Sequence, residues 1–161
     1  MITGALASSY YGLPQSTVDL DLVVNLGKSD IGRLVWAARK GGFEVNEQEP
    51  VAGVGNGERI VMQSSETFRV DLWLPRSEYD EIAFSRRCRR RIFNELAYIC
   101  SPEDLVFQKL RAGRRQDEDD VVGVLIRQSG RLDWRYPNTW ASNLGVERAL
   151  KSVMKRAKRG E

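Results

Sequence analysis

Two short stretches of the chain alternate between apolar and other residues, which is the pattern of a β-strand with one buried face. In residues 17–25, Val18, Leu20 and Leu22 share one face, and Asp19 and Asp21 share the other. In residues 67–74, the apolar positions Phe68, Val70, Leu72 and Leu74 alternate with Arg69, Asp71 and Trp73. The pattern therefore predicts two strands that carry three aspartates on their outward faces.

The first half of the chain mixes further strands and helices. We expect a short strand at residues 1–3, a turn at Gly4 and a helix to about residue 11. Ser29 or Asp30 can cap a helix that runs to Arg39, where two glycines follow. The strand at 67–74 pairs with one at 58–64 around a turn at 64–66, a helix runs from Ser77 to about Arg87, and residues 89–99 form one more strand.

The second half contains helices only. Ser101 followed by Pro102 and two acids is a helix start, and two helices are predicted at about 102–112 and 116–128, with a last one at 146–157. This order predicts an α+β fold, with a mixed β-sheet core, helices on one side and a C-terminal helical appendage. We expect residues 1–100 to form the core and residues 101–161 the appendage, packed together as one domain.

Composition excludes several kinds of chemistry. The 161 residues include no histidine, which excludes Ser-His and Cys-His nucleophilic mechanisms and a His-ligated zinc site. The two cysteines, Cys88 and Cys100, have no metal-ligand spacing and are expected to be reduced thiols. No apolar run approaches the ~20 residues that span a bilayer and no signal-peptide pattern is present, so a cytoplasmic location is expected.

The three aspartates suggest a metal site. Two ionised carboxylates side by side repel each other unless a positive charge lies between them, and hard divalent cations take oxygen ligands. Asp19, Asp21 and Asp71 could therefore hold Mg²⁺ or Mn²⁺ for phosphoryl or nucleotidyl transfer. The alternative is that the acidic pair is only the solvated face of a strand.

Basic residues are concentrated in two clusters of the chain, whose net charge is +3. The clusters are Arg86, Arg87, Arg89, Arg90 and Arg91, and Lys151, Lys155, Arg156, Lys158 and Arg159. Each is either solvated surface or an attractor of phosphate groups, and the second requires both to lie on one face.

The combined motifs resemble the nucleotidyltransferase superfamily, whose fold is shared with DNA polymerase beta. The resemblance is to the small bacterial minimal and abortive-infection-type members, and it covers nearly the whole chain. It rests on a glycine turn that opens a helix, a following strand with Asp-x-Asp, a third acid, a Ser-Pro-Glu-Asp helix start and a Trp-containing tail. These segments are 3–12, 17–21, Asp71, 101–110 with Arg114, Asp117 and Asp120, and 132–145.

The resemblance implies a catalytic and metal-binding role for Asp19, Asp21 and Asp71, with Asp71 also able to accept the proton of the attacking hydroxyl. It implies nucleotide binding by Gly4, Ser8, Ser9, Thr17 and Lys109. The family's phosphate-contacting serine follows the glycine directly, where this chain has Ala5, so Ser8 or Ser9 is the expected source of a hydroxyl. The family also has a helix before its first strand, whereas this sequence begins in the strand itself.

Several other residues have a structural alternative. Lys109 alone is typical of a solvated lysine, and the resemblance instead places it near the phosphates or the acidic site. Arg114, Asp117 and Asp120 are expected to form an ion-pair network that joins the appendage to the core, and the alternative is that they contact the substrate. Asp104 is expected to be exposed in a first helical turn, where it offsets the helix dipole. The remaining predictions place Trp134, Tyr136 and Trp140 in the core of the appendage rather than in a base-stacking surface.

Three functions are consistent with this sequence. The first is metal-dependent transfer of a nucleoside monophosphate from a nucleoside triphosphate (NTP) to a protein, RNA or small-molecule acceptor. The second is a nucleotidyltransferase-fold binding module without turnover, which acts with a protein partner in a toxin–antitoxin-type pair. The third is a metal-dependent nuclease. The glycine turn before the Asp strand favours a triphosphate ligand over the nuclease.

Overall fold

A four-stranded mixed β-sheet forms one half of the molecule. The computed structural model describes residues 1–45, 59–64 and 67–160. The strands are β1 (Asp19–Val23), β2 (Phe43–Val45), β3 (Ile60–Ser64) and β4 (Arg69–Trp73), in the order β1-β4-β3-β2. β1 and β4 are parallel, whereas β3 is antiparallel to both of its neighbours. The predicted pairing of the strands at 58–64 and 67–74 is confirmed, although residues 58, 65 and 66 lie outside the described part of the chain.

One face of this sheet is apolar, as the alternation predicts. The buried residues Ile60, Met62, Val70 and Leu72 form a small core with Ala38 of helix α2 (Ile31–Lys40). The core is completed by partly buried apolar residues, namely Leu20, Leu22, Val24, Leu26, Leu34, Phe43 and Val45. Because neighbours along a strand point to opposite faces, the aspartates of β1 and β4 are left on the other face of the sheet.

The predicted single strand at residues 89–99 is wrong. The segment is a β-hairpin of β5 (Cys88–Ile92) and β6 (Glu95–Ile99), which pair antiparallel. Phe93 and Asn94 connect the two strands with φ values of 49° and 67°, the left-handed backbone that a two-residue hairpin turn requires. Such turns are usually marked by Asn-Gly or Asp-Gly, and the absence of glycine here removes that signal.

A larger core lies among the helices and the hairpin. The helices are α1 (Gly4–Tyr11), α3 (Glu78–Ser85), α4 (Pro102–Ala112), α5 (Arg115–Arg127), α6 (Arg135–Asn143) and α7 (Glu147–Arg159). Ser77 and Ser101 cap α3 and α4, since each hydroxyl oxygen accepts a hydrogen bond from the backbone N–H three residues later. The helices at 102–112 and 116–128 and the last helix are therefore present within one or two residues of the predicted bounds.

Two elements were not predicted from the sequence. β2 is only three residues long, too short for its alternation to stand out. Helix α6 contains Pro137, a residue type that usually breaks a helix. Pro137 lies in the first turn of the helix, where a backbone N–H has no intrahelical acceptor, so the missing N–H does not interrupt the helix.

Residues 1–3 connect the sheet to the hairpin. The Thr3 N–H donates to the carbonyl of Asp21 at 3.0 Å, and the Ile2 N–H donates to the carbonyl of Tyr98 at 2.7 Å. Ile2 thus forms an isolated β-bridge with Leu22 of β1 on one side and with Ile99 of β6 on the other. The predicted short strand is therefore present as this single bridging residue. Within the described ranges, no helix is both long and apolar enough to cross a membrane.

Candidate functional site

The parallel pairing of β1 and β4 brings the three predicted aspartates to one face of the sheet. Asp21 lies opposite Asp71 in the register of the two strands, and Asp19 lies opposite Arg69. Asp21 Oδ1 accepts a hydrogen bond of 3.0 Å from Trp73 Nε1, which fixes the orientation of its carboxylate. The outward positions of both strands thus form one polar face, on which Asp71 is buried.

Two arginines hold Asp71. Arg59 Nη1 donates to Asp71 Oδ2 at 3.0 Å, and Arg69 Nε donates to Asp71 Oδ1 at 2.9 Å. The hydrogen bond and charge of Asp71, with smaller contributions from Asp19 and Asp21, raise the pKa of the Arg69 guanidinium. The positive charge among the three carboxylates is therefore provided by arginine in this structure.

The aspartates provide suitable donor atoms for a hard metal ion, but their present arrangement is not that of a metal site. Carboxylate oxygens of Asp19 and Asp21 are the ligands that Mg²⁺ prefers. Within residues 1–45, 59–64 and 67–160, however, no three Cys, Asp or Glu side chains are arranged as a ready-made metal site. Both oxygens of Asp71 already accept hydrogen bonds from arginine, so in this arrangement Asp71 is engaged by Arg59 and Arg69.

Gly4 approaches Asp21 too closely for any other residue. Its φ is +64°, and a Cβ built on it would lie 2.0 Å from Asp21 Oδ2 and 2.7 Å from Asp21 Cγ. Both the backbone conformation and the contact therefore require glycine. The result is that the first turn of α1, with its unpaired N–H groups and positive dipole end, lies directly beside the Asp21 carboxylate.

A cavity of about 580 Å³ opens at this contact. Of the predicted site residues, Gly4, Asp21 and Lys109 line it, whereas Asp19, Asp71, Ser8, Ser9 and Thr17 do not. Arg114 and Asp117, whose predicted alternative role is substrate contact, also line it. The lining is completed by residues that were not predicted from the sequence, chiefly Thr3, Trp73, Arg76, Asp80, Gln108 and Arg111. The walls come from the first turn of α1, the ends of β1 and β4, the second half of α4 and the starts of α3 and α5.

The arginines that line the cavity differ in their surroundings. Arg111 pairs with Asp80 at 3.0 Å, so its charge is partly neutralised by another residue of the lining. The Arg76 guanidinium lies 5.9 Å from the centre of the Trp73 ring and its side chain is exposed. The sequence offers only a weak signal for both: Arg76 follows the proline that ends β4, and Arg111 lies two residues after Lys109.

The three predicted hydroxyl residues have local roles in the described structure. The Ser8 hydroxyl is buried and donates to the carbonyl of Gly4 at 3.1 Å. Ser9 Oγ accepts the N–H of Gln15 at 3.0 Å, and Thr17 Oγ1 accepts the N–H of Asp19 at 3.1 Å. These hydroxyls shape the helix and the loop before β1, and they are not turned into the cavity.

Lys109 is buried rather than solvated. Its Nζ donates to Asp117 Oδ1 at 3.0 Å and to Asp120 Oδ2 at 2.6 Å, which ties α4 to α5. Burial acts to raise the pKa of Asp117, but the hydrogen bonds from Arg114 and Lys109 outweigh it and hold the pKa below its ordinary value. Gln15 donates to Asp120 and connects this network to the loop before β1.

The prediction that Asp104 is exposed is wrong, because its side chain is fully buried. It accepts hydrogen bonds from Ser101 at 2.6 Å, Tyr136 at 2.9 Å, Tyr79 at 3.1 Å and Arg86 at 3.2 Å. Burial, followed by the nearby Asp104 charge, raises the pKa of Tyr79 and of Tyr136, so both hydroxyls stay protonated donors. Asp104 therefore joins α3, α4 and α6.

The aromatic residues Trp134, Tyr136 and Trp140 pack against the larger core, as predicted.

The mixed sheet, the two aspartate-bearing parallel strands and the glycine-opened helix define an α+β fold of the nucleotidyltransferase-like class. The chain is similar to the crystal structure of an antigenic nucleotidyltransferase-like protein from Paracoccidioides brasiliensis, with a TM-score of 0.50. The two are 18% identical over 93% of this chain and 83% of the other. At that identity the likeness concerns the fold. Searches against protein-family models and against curated proteins give no match.

Proposed function

We propose that this protein is a metal-dependent nucleotidyltransferase, which binds an NTP in the cavity beside Gly4 and Asp21 and transfers the nucleoside monophosphate to an acceptor. The observation that carries the proposal is the contact between Gly4 and Asp21. It sets the positive end of a helix next to a carboxylate on the wall of one cavity, so that phosphate and metal ligands are adjacent.

The cavity offers cationic groups for the triphosphate. The exposed guanidinium groups of Arg76, Arg111 and Arg114 line it, together with the backbone of Gly4. A triphosphate would compete with Asp80 and Asp117 for two of these arginines, and charged hydrogen bonds to phosphate are strong enough to do so. Lys109 is committed to Asp117 and Asp120, so we assign it to holding α4 and α5 in place.

Asp19 and Asp21 would hold Mg²⁺ or Mn²⁺. Such an ion, when bound, neutralises charge on the transferring phosphoryl group and its leaving group. Asp71 lies opposite Asp21 and is the candidate to accept the proton of the attacking hydroxyl. For that role one of its two arginine hydrogen bonds must be released, and Arg59 has the slightly more exposed side chain of the two.

The second candidate function is a binding module that keeps the fold without turnover. Two observations favour it: Ala5 stands where the related motif has a serine, and Arg59 and Arg69 occupy both oxygens of Asp71. In that case we propose a protein partner of the toxin–antitoxin type, whose binding does not depend on Asp19 and Asp21.

Calorimetric titration of ATP, GTP, CTP and UTP with magnesium tests the first proposal. The unmodified protein should bind at least one of them saturably, and Asp19→Asn/Asp21→Asn should not. The matched control is Glu44→Gln/Glu95→Gln, which removes the same charge from exposed strand positions and should bind normally. An unmodified protein that unfolds cooperatively yet binds none of the four nucleotides contradicts the proposal.

Turnover distinguishes the two candidates. Incubation with the nucleotide that binds, labelled in its α-phosphate, should transfer label to an acceptor and release pyrophosphate. Binding without pyrophosphate release, in the presence of protein, RNA and small-molecule acceptors, supports the binding module instead.

A further inference from the structure

A second cavity, of about 800 Å³, lies at the opposite ends of the helices that form the first. It is lined by Tyr10, Tyr11, Arg86, Cys88, Arg90, Ser101, Pro102, Glu103, Arg127, Gln128 and Arg131, and it shares no lining residue with the first cavity. Gly4 and Tyr10 are six residues apart on α1, which separates the two cavities by roughly 9 Å along that helix.

The charge of this second cavity is strongly positive. Four arginines line it against one carboxylate, Glu103, and Arg86 is the arginine that approaches Glu103, at 3.8 Å. Arg90, Arg127 and Arg131 are exposed, and in the part of the chain that the structure describes none of them forms an ion pair with a carboxylate. Three guanidinium groups around one cavity, none of them paired with a carboxylate, attract a polyvalent anion.

Aromatic surface accompanies the charge. The Tyr10 ring is 41% exposed on the wall of the cavity and is held edge-on against Tyr11, with 4.9 Å between ring centres. An exposed tyrosine that is held in place by a neighbouring ring can stack on a planar group. Inorganic anions do not use such a surface, so the ligand should carry aromatic groups as well as negative charge.

A similar combination lies on the other, outer face of the hairpin, because Arg89 and Arg91 alternate along β5 with the cavity residue Arg90. Arg89 pairs with Tyr98 and Arg91 with Leu96 across β5 and β6, and all four side chains are exposed. The Arg87 guanidinium lies 5.0 Å from the centre of the Tyr98 ring, and Tyr98 is 48% exposed. Five strand residues extend about 17 Å, which is longer than a single phosphate group.

We propose that the second cavity and the outer face of the β5–β6 hairpin bind single-stranded nucleic acid. Arg90, Arg127 and Arg131 would contact its phosphates, and Tyr10 and Tyr98 would stack on its bases. A small phosphate ligand accounts for the cavity alone, whereas a strand that passes round the edge of the two-stranded hairpin can contact both the cavity and the outer face. The inference does not require the first cavity to bind an NTP.

Fluorescence anisotropy with labelled 12-nucleotide single-stranded RNA and DNA, titrated separately at several KCl concentrations, tests the proposal. The variant Arg90→Gln/Arg127→Gln/Arg131→Gln should bind about tenfold or more weakly than the unmodified protein. The slope of log affinity against log salt should also fall by about 2, because each lost phosphate contact to a single strand removes roughly 0.7. Tyr98→Ala should weaken binding by about tenfold with the salt slope unchanged.

The matched control is Arg148→Gln/Lys151→Gln/Lys155→Gln, which removes the same charge from exposed positions of α7. It should bind within about threefold of the unmodified protein, since it removes only long-range attraction. Asp19→Asn/Asp21→Asn should bind normally, which separates this proposal from the proposed function.

Three results would overturn the assignment. Equal losses in the cavity variant and the α7 control would show a general effect of net charge. No measurable binding of either oligonucleotide at low salt would remove the proposal outright. If pyrophosphate or an NTP raises the melting temperature of the unmodified protein but not that of the cavity variant, while oligonucleotides do not bind, the site takes a small phosphate ligand instead.

Discussion

Replacement of Gly4 by alanine tests the contact on which the proposed site depends. Gly4→Ala adds one Cβ at a position where φ is +64° and the added atom would lie 2.0 Å from Asp21 Oδ2. We expect the variant to fold with a lower free energy of unfolding, because the added atom strains the backbone and also displaces the Asp21 carboxylate.

The magnitude follows from three contributions. An alanine in the left-handed region costs about 1–2 kcal/mol. The overlap with Asp21 is of the kind that costs about 1–3 kcal/mol when a packed site must rearrange. Moving the carboxylate also lengthens the hydrogen bond from Trp73, which is worth about 1 kcal/mol. These contributions are not fully additive, so we expect a loss of about 2–5 kcal/mol.

Gly113→Ala is the matched control. Gly113 has a φ of +67°, nearly that of Gly4, but a Cβ placed on it would meet no heavy atom closer than the Leu110 carbonyl oxygen, at 3.9 Å. The control therefore carries the backbone strain without the overlap and should lose only about 1–2 kcal/mol.

Urea unfolding, monitored by tryptophan fluorescence, gives the free energy of unfolding of both variants and of the unmodified protein. The difference between Gly4→Ala and Gly113→Ala isolates the contact with Asp21. If the two variants lose the same free energy of unfolding, the first turn of α1 does not lie against Asp21, and the arrangement proposed for the site is incorrect.

Three further predictions concern buried polar groups. Asp104→Ala should lower the free energy of unfolding by about 3–5 kcal/mol in urea melts, since it removes the acceptor of hydrogen bonds from Ser101, Tyr136 and Arg86, and a loss below about 1 kcal/mol would contradict that role. The pKa of Asp117 is lower in the folded protein than its unfolded value of about 3.9. The ionised carboxylate therefore stabilises the folded protein above about pH 4, and this contribution is lost as the pH falls through the folded pKa. Asp117→Asn should therefore be less stable than the unmodified protein at pH 7, with the gap narrowing in acid melts, and a constant gap would refute the argument. Burial raises the pKa of the Cys100 thiol to about 12, so a thiol reagent should label the partly exposed Cys88 first and Cys100 only in denaturant, and equal native rates would contradict this.

The strands that carry the aspartates could be predicted from the sequence because the signal is local. Alternation over five to eight residues specifies which side chains share a face, and no distant residue is needed to interpret it. The position of Asp21 opposite Asp71 could not be predicted in this way, because the alternation does not indicate that β1 and β4 are parallel neighbours.

Burial of charged groups could not be predicted, because it depends on distant parts of the chain. Asp104 has the sequence context of an exposed acid in a first helical turn, yet Tyr79 and Tyr136 reach it from α3 and α6. The same holds for the cavity: Arg76 and Arg111 meet there only because β4 and α4 end near each other. The hairpin was missed for a different reason, since its turn uses Phe93 and Asn94 in left-handed backbone without a glycine.

The make-up of the larger core has a consequence for how the protein is synthesised. That core contains Ala7 from α1 and Val153 from α7, both with no exposed surface, and α5 packs against both of these helices. A nascent chain that ends before α7 leaves the apolar face of α5 exposed to solvent, whether or not the β-sheet has formed. Completion of the core must therefore wait until α7 has been translated, and until then the emerging chain presents the kind of apolar surface that chaperones bind.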